Sequence, residues 1–268
     1  MSQEKQKTKI NLATIQVEIR DDMDKAARLR KVAEILEGLQ NSSDPIDLII
    51  LPELWGCGFF DFENYAACSE ELLGPTFELL STWAKKLQAC FYGGSIVERA
   101  EEGLYNTSLW IDSKGELGGY YRKIHLWGYL SREPEILMQG TAPLVQDTEW
   151  CKFGLATCYD LRFPEQFRSM IDAGAEAFLI ASAWPGARIA HWRLFCQARA
   201  LENQAWLASC NCAGVQQNNS LGGHSMTVAP LGEIIAEASE EGTVLFSQMD
   251  MAEVKKNRET FPFLADRV

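Results

Sequence analysis

Three side chains far apart along the chain are of the types that an acyl-transfer reaction uses: a carboxylate at Glu53, an ammonium at Lys123 and a thiol at Cys158. Each falls where a short apolar run stops. Ile46 to Leu51 is ended by Pro52 and Glu53, Lys123 lies in Tyr120-Tyr121-Arg122-Lys123-Ile124-His125-Leu126, and Cys158 follows the mostly apolar run that begins at Phe153. Such runs read as buried strands, and Pro164-Glu165 suits the first turn of a helix. Cys158 then sits in a strand-to-helix turn, where the positive end of a helix favours a thiolate. Strand carboxyl ends are where open α/β sheets gather ligands. Glu53 is placed to take the thiol proton and Cys158 to attack a carbonyl carbon, with Lys123 and a backbone N–H just after the cysteine holding the oxyanion. A Glu53–Lys123 ion pair beside a buried, unreactive cysteine explains the same three residues, and the residue types leave both readings open.

The elements that must carry these groups follow from periodicity. Ile10 to Val17 reads as a strand, and the acidic stretch Asp21 to Asp24 opens a helix with Leu29, Val32, Leu36 and Leu39 on one face. Gly74-Pro75 starts another helix, after which 91–97, 104–111 and 117–124 read as successive strands, the last two joined by the turn Asp112-Ser113-Lys114-Gly115. The second half repeats the order: a strand ending at Cys158, a helix from Pro164 to about Ala173, a strand over 177–181, a helix over 189–203, then strands near 206–210, 225–228, 233–236 and 244–248. Two β-rich halves, each with one helical and one sheet face, bury their apolar sheet surfaces by stacking, which predicts an α/β fold of four layers, helix–sheet–sheet–helix. Without a Pro/Gly/Ser-rich linker, residues 1–268 read as a single domain.

Composition narrows the partners. A formal charge of -12 argues against nucleic acid and anionic membrane surfaces. The polar start, Met1-Ser2-Gln3-Glu4-Lys5, and the lack of a long apolar span point to the cytoplasm. Eight scattered cysteines in a chain of 268 residues read as reduced thiols, and Cys210-Asn211-Cys212 has no second pair to complete a zinc site. A cysteine–histidine mechanism is the rival chemistry, because His125 would face the same side as Lys123 on a continuing strand. His191 and His224 fit packing or hydrogen-bonding uses better.

Leu51-Pro52-Glu53-Leu54, Tyr121-Arg122-Lys123-Ile124-His125-Leu126 and Cys158-Tyr159-Asp160-Leu161-Arg162-Phe163-Pro164-Glu165 resemble, in order, the three signatures of the nitrilase superfamily of carbon–nitrogen hydrolases. The resemblance continues through Tyr105-Asn106-Thr107, His191-Trp192, the stretch 198–204 and Gly223-His224-Ser225. It implies an α–β–β–α sandwich, no cofactor, a Glu53–Lys123–Cys158 triad and a homodimer or higher homo-oligomer. It also implies a second active-site glutamate seven residues before a glycine, which is Glu133 before Gly140, with Glu135 as the fallback. Trp184-Pro185, Glu202-Asn203-Gln204 and the ending Phe261-Pro262-Phe263 look most like the omega-amidase branch, which implies a small amide substrate bearing a carboxylate, such as 2-oxoglutaramate. Arg162, four residues past Cys158, is placed to clamp that carboxylate, with Arg188 and Tyr159 beside it; pairing of Arg162 with Asp160 or Glu165 is the structural alternative. An N-carbamoyl amidohydrolase, a nitrilase and a catalytically silent scaffold share the pattern. The aromatic-rich stretch 55–65 is expected either at the pocket mouth or in the core.

Overall fold

The computed structural model describes residues 8–43 and 45–267; the polar start at Met1 to Lys5 lies outside them. The first half runs β1 (Lys9–Gln16), β2 (Glu18–Arg20), α1 (Lys25–Gln40), β3 (Leu48–Ile50), α2 (Tyr65–Cys68), α3 (Pro75–Leu87), β4 (Cys90–Arg99), β5 (Leu104–Ile111), β6 (Leu117–Arg122) and the single turn α4 (Glu133–Ile136). The second runs β7 (Leu144–Asp147), β8 (Lys152–Thr157), α5 (Pro164–Asp172), β9 (Ala177–Ser182), α6 (Ile189–Asn203), β10 (Trp206–Asn211), β11 (Ala213–Gln216), β12 (Asn219–Gly222), β13 (Met226–Val228), β14 (Ile234–Glu237), β15 (Thr243–Asp250) and α7 (Ala252–Thr260).

These elements form two six-stranded sheets, in the orders β15-β1-β3-β4-β5-β6 and β14-β13-β10-β9-β8-β7. Side chains alternate between faces along each strand, so one strand feeds two cores. Leu12, Leu48 and Ile50 meet Phe153, Leu155 and Leu179 between the sheets. Their neighbours Ala13 and Ile49 turn the other way, onto Val32 and Leu36 of α1 and Leu80 and Ala84 of α3. Ala156, Phe178 and Ile180 likewise pack beneath Phe167 of α5 and Trp192 and Cys196 of α6. Three apolar interfaces between four layers give the α–β–β–α sandwich. The N-terminus of α1 is held by Asp24, whose side chain accepts from the Ala27 N–H at 2.7 Å, as the acidic opening of that helix predicts.

Several elements differ from the periodic reading. The third strand is shorter than Ile46 to Leu51, and β6 stops at Arg122 rather than Ile124. Strands β2, β11 and β12 form a separate three-stranded sheet too short to leave a period-two signal. Strand β7, three half-exposed residues and an exposed Asp147, also lacks an apolar run. No helix among the described residues is long and apolar enough to cross a membrane.

Candidate active site

Four chain segments meet at the carboxyl ends of β3, β6, β8 and β9. Glu53 lies three residues past β3, and Leu54 beside it takes a left-handed backbone (φ 45°). That bend leaves the Leu54 N–H donating to Ser95 Oγ at 3.0 Å, with Glu53 N–H on the Ser182 carbonyl across the sheet interface at 3.3 Å. Cys158 opens a 3-10 turn, Cys158–Arg162, and also has positive φ (47°). A non-glycine residue there costs about 1–2 kcal/mol, a strain that persists only where the surroundings fix it. Asp160 supplies the fixing. Its buried carboxylate accepts from the Thr157 N–H at 2.8 Å, the Tyr121 hydroxyl at 2.7 Å and the His125 N–H at 3.1 Å, tying the cysteine turn to the loop after Lys123.

Lys123 is 1% exposed. Its Nζ donates to Glu53 Oε1 at 2.8 Å and to both Glu133 oxygens at 2.9 Å. Glu53 Oε2 accepts the Ala183 N–H at 2.9 Å, and Glu133 Oε2 accepts the Trp127 N–H at 2.7 Å. Burial pulls the lysine down, but the Glu133 and Glu53 carboxylates outweigh it and hold the ammonium above its ordinary range. Burial pushes the Glu133 carboxyl up; Lys123 opposes this and Glu53 adds to it. The Cys158 thiol is pushed well above its ordinary range, first by burial and then by the Glu53 carboxylate, against Lys123 and Ser182. The thiolate favoured by a helix end is therefore not the resting form. The turn after Cys158 is a single short 3-10 segment, too little helix to offset a buried carboxylate.

The structure thus brings together Glu53, Lys123, Cys158 and Glu133. Glu135 is exposed and pairs with Arg132 at 3.1 Å, outside the cluster. The glycine seven residues after Glu133 has a steric reason: a Cβ on Gly140 would stand 1.9 Å from the Arg122 carbonyl oxygen, and its N–H donates to the Lys123 carbonyl at 2.8 Å. Asn106, buried in β5, is a further member that residue types alone did not single out. Its Nδ2 bridges Glu53 Oε1 (2.8 Å) and Glu133 Oε1 (3.1 Å), and its backbone carbonyl accepts the Lys123 N–H at 2.8 Å.

A cleft lined by Trp127, Tyr159, Arg162, Trp184, Pro185 and Arg188 ends on Cys158. Arg162 forms no ion pair with Asp160 or Glu165; its guanidinium lies 4.9 Å from the Trp184 ring centroid and 5.2 Å from that of Phe195. Arg188 lies 5.4 Å from the ring of Tyr129. A larger depression, about 820 Å³, opens beside α1 and the start of α3; of its charged lining, Lys25 and one of three glutamates, Glu70, pair at 2.8 Å, and Cys158 is not among its residues. The smaller cleft is the one that reaches the thiol. Most of the aromatic stretch 55–65 is core: Trp55 and Tyr65 are buried, and Phe59 packs between Lys123 (5.4 Å) and Trp127 (5.8 Å) behind the cleft wall.

The histidines go elsewhere. With β6 ended at Arg122, His125 does not share a face with Lys123; its ring lies 3.8 Å from Phe163 in a stacked geometry, with Nδ1 on Asp160 at 2.8 Å. His224 pairs with Glu237 at 2.8 Å, and His191 lies edge-on to Phe195.

A four-layer sandwich with a thiol, an ammonium and two carboxylates at its strand ends defines a class of hydrolase fold, and sequence comparison names it. The carbon–nitrogen hydrolase family model matches residues 11–259, and the chain belongs to that family. Among curated relatives, a 2-oxoglutaramate amidase of Paenarthrobacter nicotinovorans is 34% identical over 266 residues, covering 96% of this chain and 89% of that protein. An omega-amidase of Saccharomyces cerevisiae, NIT3, is 30% identical over 97% of this chain and 93% of its own length. The crystal structure of S. cerevisiae Nit3, a member of branch 10 of the nitrilase superfamily, superposes with a TM-score of 0.86 at 30% identity over 95% of both chains. A Xanthomonas campestris CN-hydrolase superfamily protein, with an arsenic adduct in its active site, gives 0.89 at 29% identity over 97% of both chains.

Proposed function

We propose that the protein is an amidase that hydrolyses the terminal amide of a small carboxylate-bearing substrate such as 2-oxoglutaramate, releasing ammonia, through a thioester on Cys158. The observation that carries this reading is the buried Lys123 ammonium held between Glu53 and Glu133 beside a thiol on which a cleft ends. A thiol held protonated at rest requires a base at the moment of attack, and Glu53 is the carboxylate beside it. The S–H proton moves to Glu53 as sulfur bonds to the amide carbon. The oxyanion meets Lys123 and the Tyr159 N–H, a donor in the first turn where helical N–H groups lack an internal partner. Collapse expels ammonia, which takes the proton from Glu53. Glu53 then deprotonates a water that attacks the thioester, and the proton returns to sulfur as the acid leaves. Glu133 orients Lys123 throughout.

Substrate choice rests on the cleft. Arg162 and Arg188 project cationic groups among Tyr159 and Trp184, with no carboxylate of the described residues in an ion pair with either, so a substrate carboxylate finds charge-assisted donors on an otherwise acidic protein. The relatives named for 2-oxoglutaramate and omega-amides agree with that chemistry. We place the protein in the cytoplasm as one domain, assembled as a homodimer or higher homo-oligomer.

The test is ammonia release from 2-oxoglutaramate, succinamate, a nitrile and a carbamoyl compound by the wild type and Cys158→Ala. Turnover of the first two, with none in a folded Cys158→Ala, is expected. Carbon dioxide released with ammonia from the carbamoyl compound alone would move the protein to the carbamoyl branch, and activity in Cys158→Ala would overturn the nucleophile.

A further inference from the structure

Glu53 presents two unequal oxygens. Oε1 accepts from Lys123 Nζ at 2.8 Å and from Asn106 Nδ2 at 2.8 Å, whereas Oε2 accepts the Ala183 N–H at 2.9 Å. A carboxylate oxygen offers two lone-pair directions, so Oε1 is saturated and Oε2 retains one. The second Asn106 N–H reaches Glu133 Oε1 at 3.1 Å, while Asn106 Oδ1 is buried and without a hydrogen-bond partner. Two carboxylates can only accept, so the amide nitrogen must face them, and the orphaned carbonyl marks a side chain placed for its donors. The backbone carbonyl of Asn106 accepts the Lys123 N–H at 2.8 Å, which sets β5 and the start of the lysine loop side by side whatever side chain stands at 106.

We infer that Asn106 is a positioning residue for the reaction: by filling Glu53 Oε1 and bridging it to Glu133, it reserves Oε2 as the oxygen that takes the Cys158 proton. The S–H bond breaks, the proton goes to Oε2, and the electron pair left on sulfur forms the bond to the amide carbon. The inference rests on the assignment of Glu53 as base and Cys158 as nucleophile. It adds that the base is one defined oxygen, and that an asparagine outside the reacting set selects it.

Removing Asn106 frees Oε1 to compete for the proton and withdraws two N–H donors from the carboxylate pair, which disfavours its ionised form. Asn106→Ala, Asn106→Asp and Cys158→Ala are compared by amide hydrolysis across the acidic and neutral pH range, with thermal unfolding of each. For Asn106→Ala we expect kcat to fall about 100-fold, within the range of a general base's contribution, with KM moved less than about threefold. The acid limb of its pH profile should move up by about one unit. Asn106→Asp keeps the shape but not the donors, so it should lose at least as much activity; it carries the test if the alanine variant does not fold. A loss of activity with an unmoved acid limb, or an aspartate variant as active as wild type, overturns the inference. Activity in Cys158→Ala would instead remove the reading beneath it; an inactive Cys158→Ala beside a normal Asn106→Ala removes the inference alone.

Discussion

Glu133→Gln keeps the shape of a side chain and removes its charge, in a place where charge and hydrogen-bond polarity can be counted. Oε1 of Glu133 accepts from Lys123 and Asn106, and Oε2 accepts from Lys123 and the Trp127 N–H. Every partner is a donor. A glutamine must turn its own NH2 toward one of these pairs, so whichever way it flips, donors face donors and one pair loses its acceptor. An orphaned buried donor costs about 1–3 kcal/mol, and breaking a buried ion pair about 3–5 kcal/mol. Lys123 keeps Glu53 at 2.8 Å, and the substitution removes a carboxylate whose ionised form burial already disfavours. Both reduce the penalty, to about 3 kcal/mol on the same scale. At about 2–4 °C per kcal/mol, Tm should fall by about 6–12 °C. The ammonium, tethered from one side only, should no longer hold an oxyanion, and kcat should fall about 10²–10³-fold, the usual effect of losing one such donor. Calorimetry and ammonia release at saturating amide read the two quantities separately. A variant that loses the stability but keeps kcat within about threefold would leave Glu133 a purely structural residue and refute its orienting role.

Arg162→Met should raise KM for a carboxylate-bearing amide about 10–100-fold, from the loss of about 1.5–3 kcal/mol of charge-assisted contact, and leave an uncharged amide nearly unchanged; equal effects on both would remove Arg162 from substrate recognition. Gly140→Ala should cost about 1–3 kcal/mol through overpacking, since its Cβ would press on the Arg122 carbonyl next to Lys123; a wild-type Tm and kcat would contradict the packing argument. Alkaline pH should destabilise the fold. Burial pushes the Cys196 thiol up to about 12, and those of Cys210 and Cys212 well above their ordinary range. A folded-state pKa raised above the unfolded one contributes stability that is complete below the unfolded value, about 8.5, and is lost as pH rises toward the folded one. Each such thiol then costs about 1.4 kcal/mol per pH unit. Urea midpoints under reducing conditions at successive pH values above that point should fall; a flat series would mean these thiols ionise in place.

The pattern of local periods carried most of the fold. Mostly apolar runs in 153–157 and 177–181, helical spacing in α1, and Pro164 at a helix start are all near-neighbour features, and they suffice to stack helices on sheets and sheets on each other. The features missed include the terminal helix α7, the single turns α2 and α4, and β2, β7, β11 and β12, strands of three or four residues whose existence depends on a partner from elsewhere in the chain.

For the site, the chain's own order determined the candidates: an acid after Leu51-Pro52, a lysine at the end of an aromatic-rich strand, and a cysteine at a strand-to-helix turn. It could not decide between Glu133 and Glu135, because both lie in one helical turn, and burial beside Lys123 is a property of where that turn packs. Nor could it decide the protonation of Cys158. Proximity to a helix start argued for a thiolate, while the enclosing sheets and a carboxylate contributed from a residue 105 positions away argue for a thiol. Asn106 and Asp160 needed the tertiary structure for the same reason. The strength of an electrostatic group is set by distance and dielectric, and both arise only when segments remote in the chain close around it.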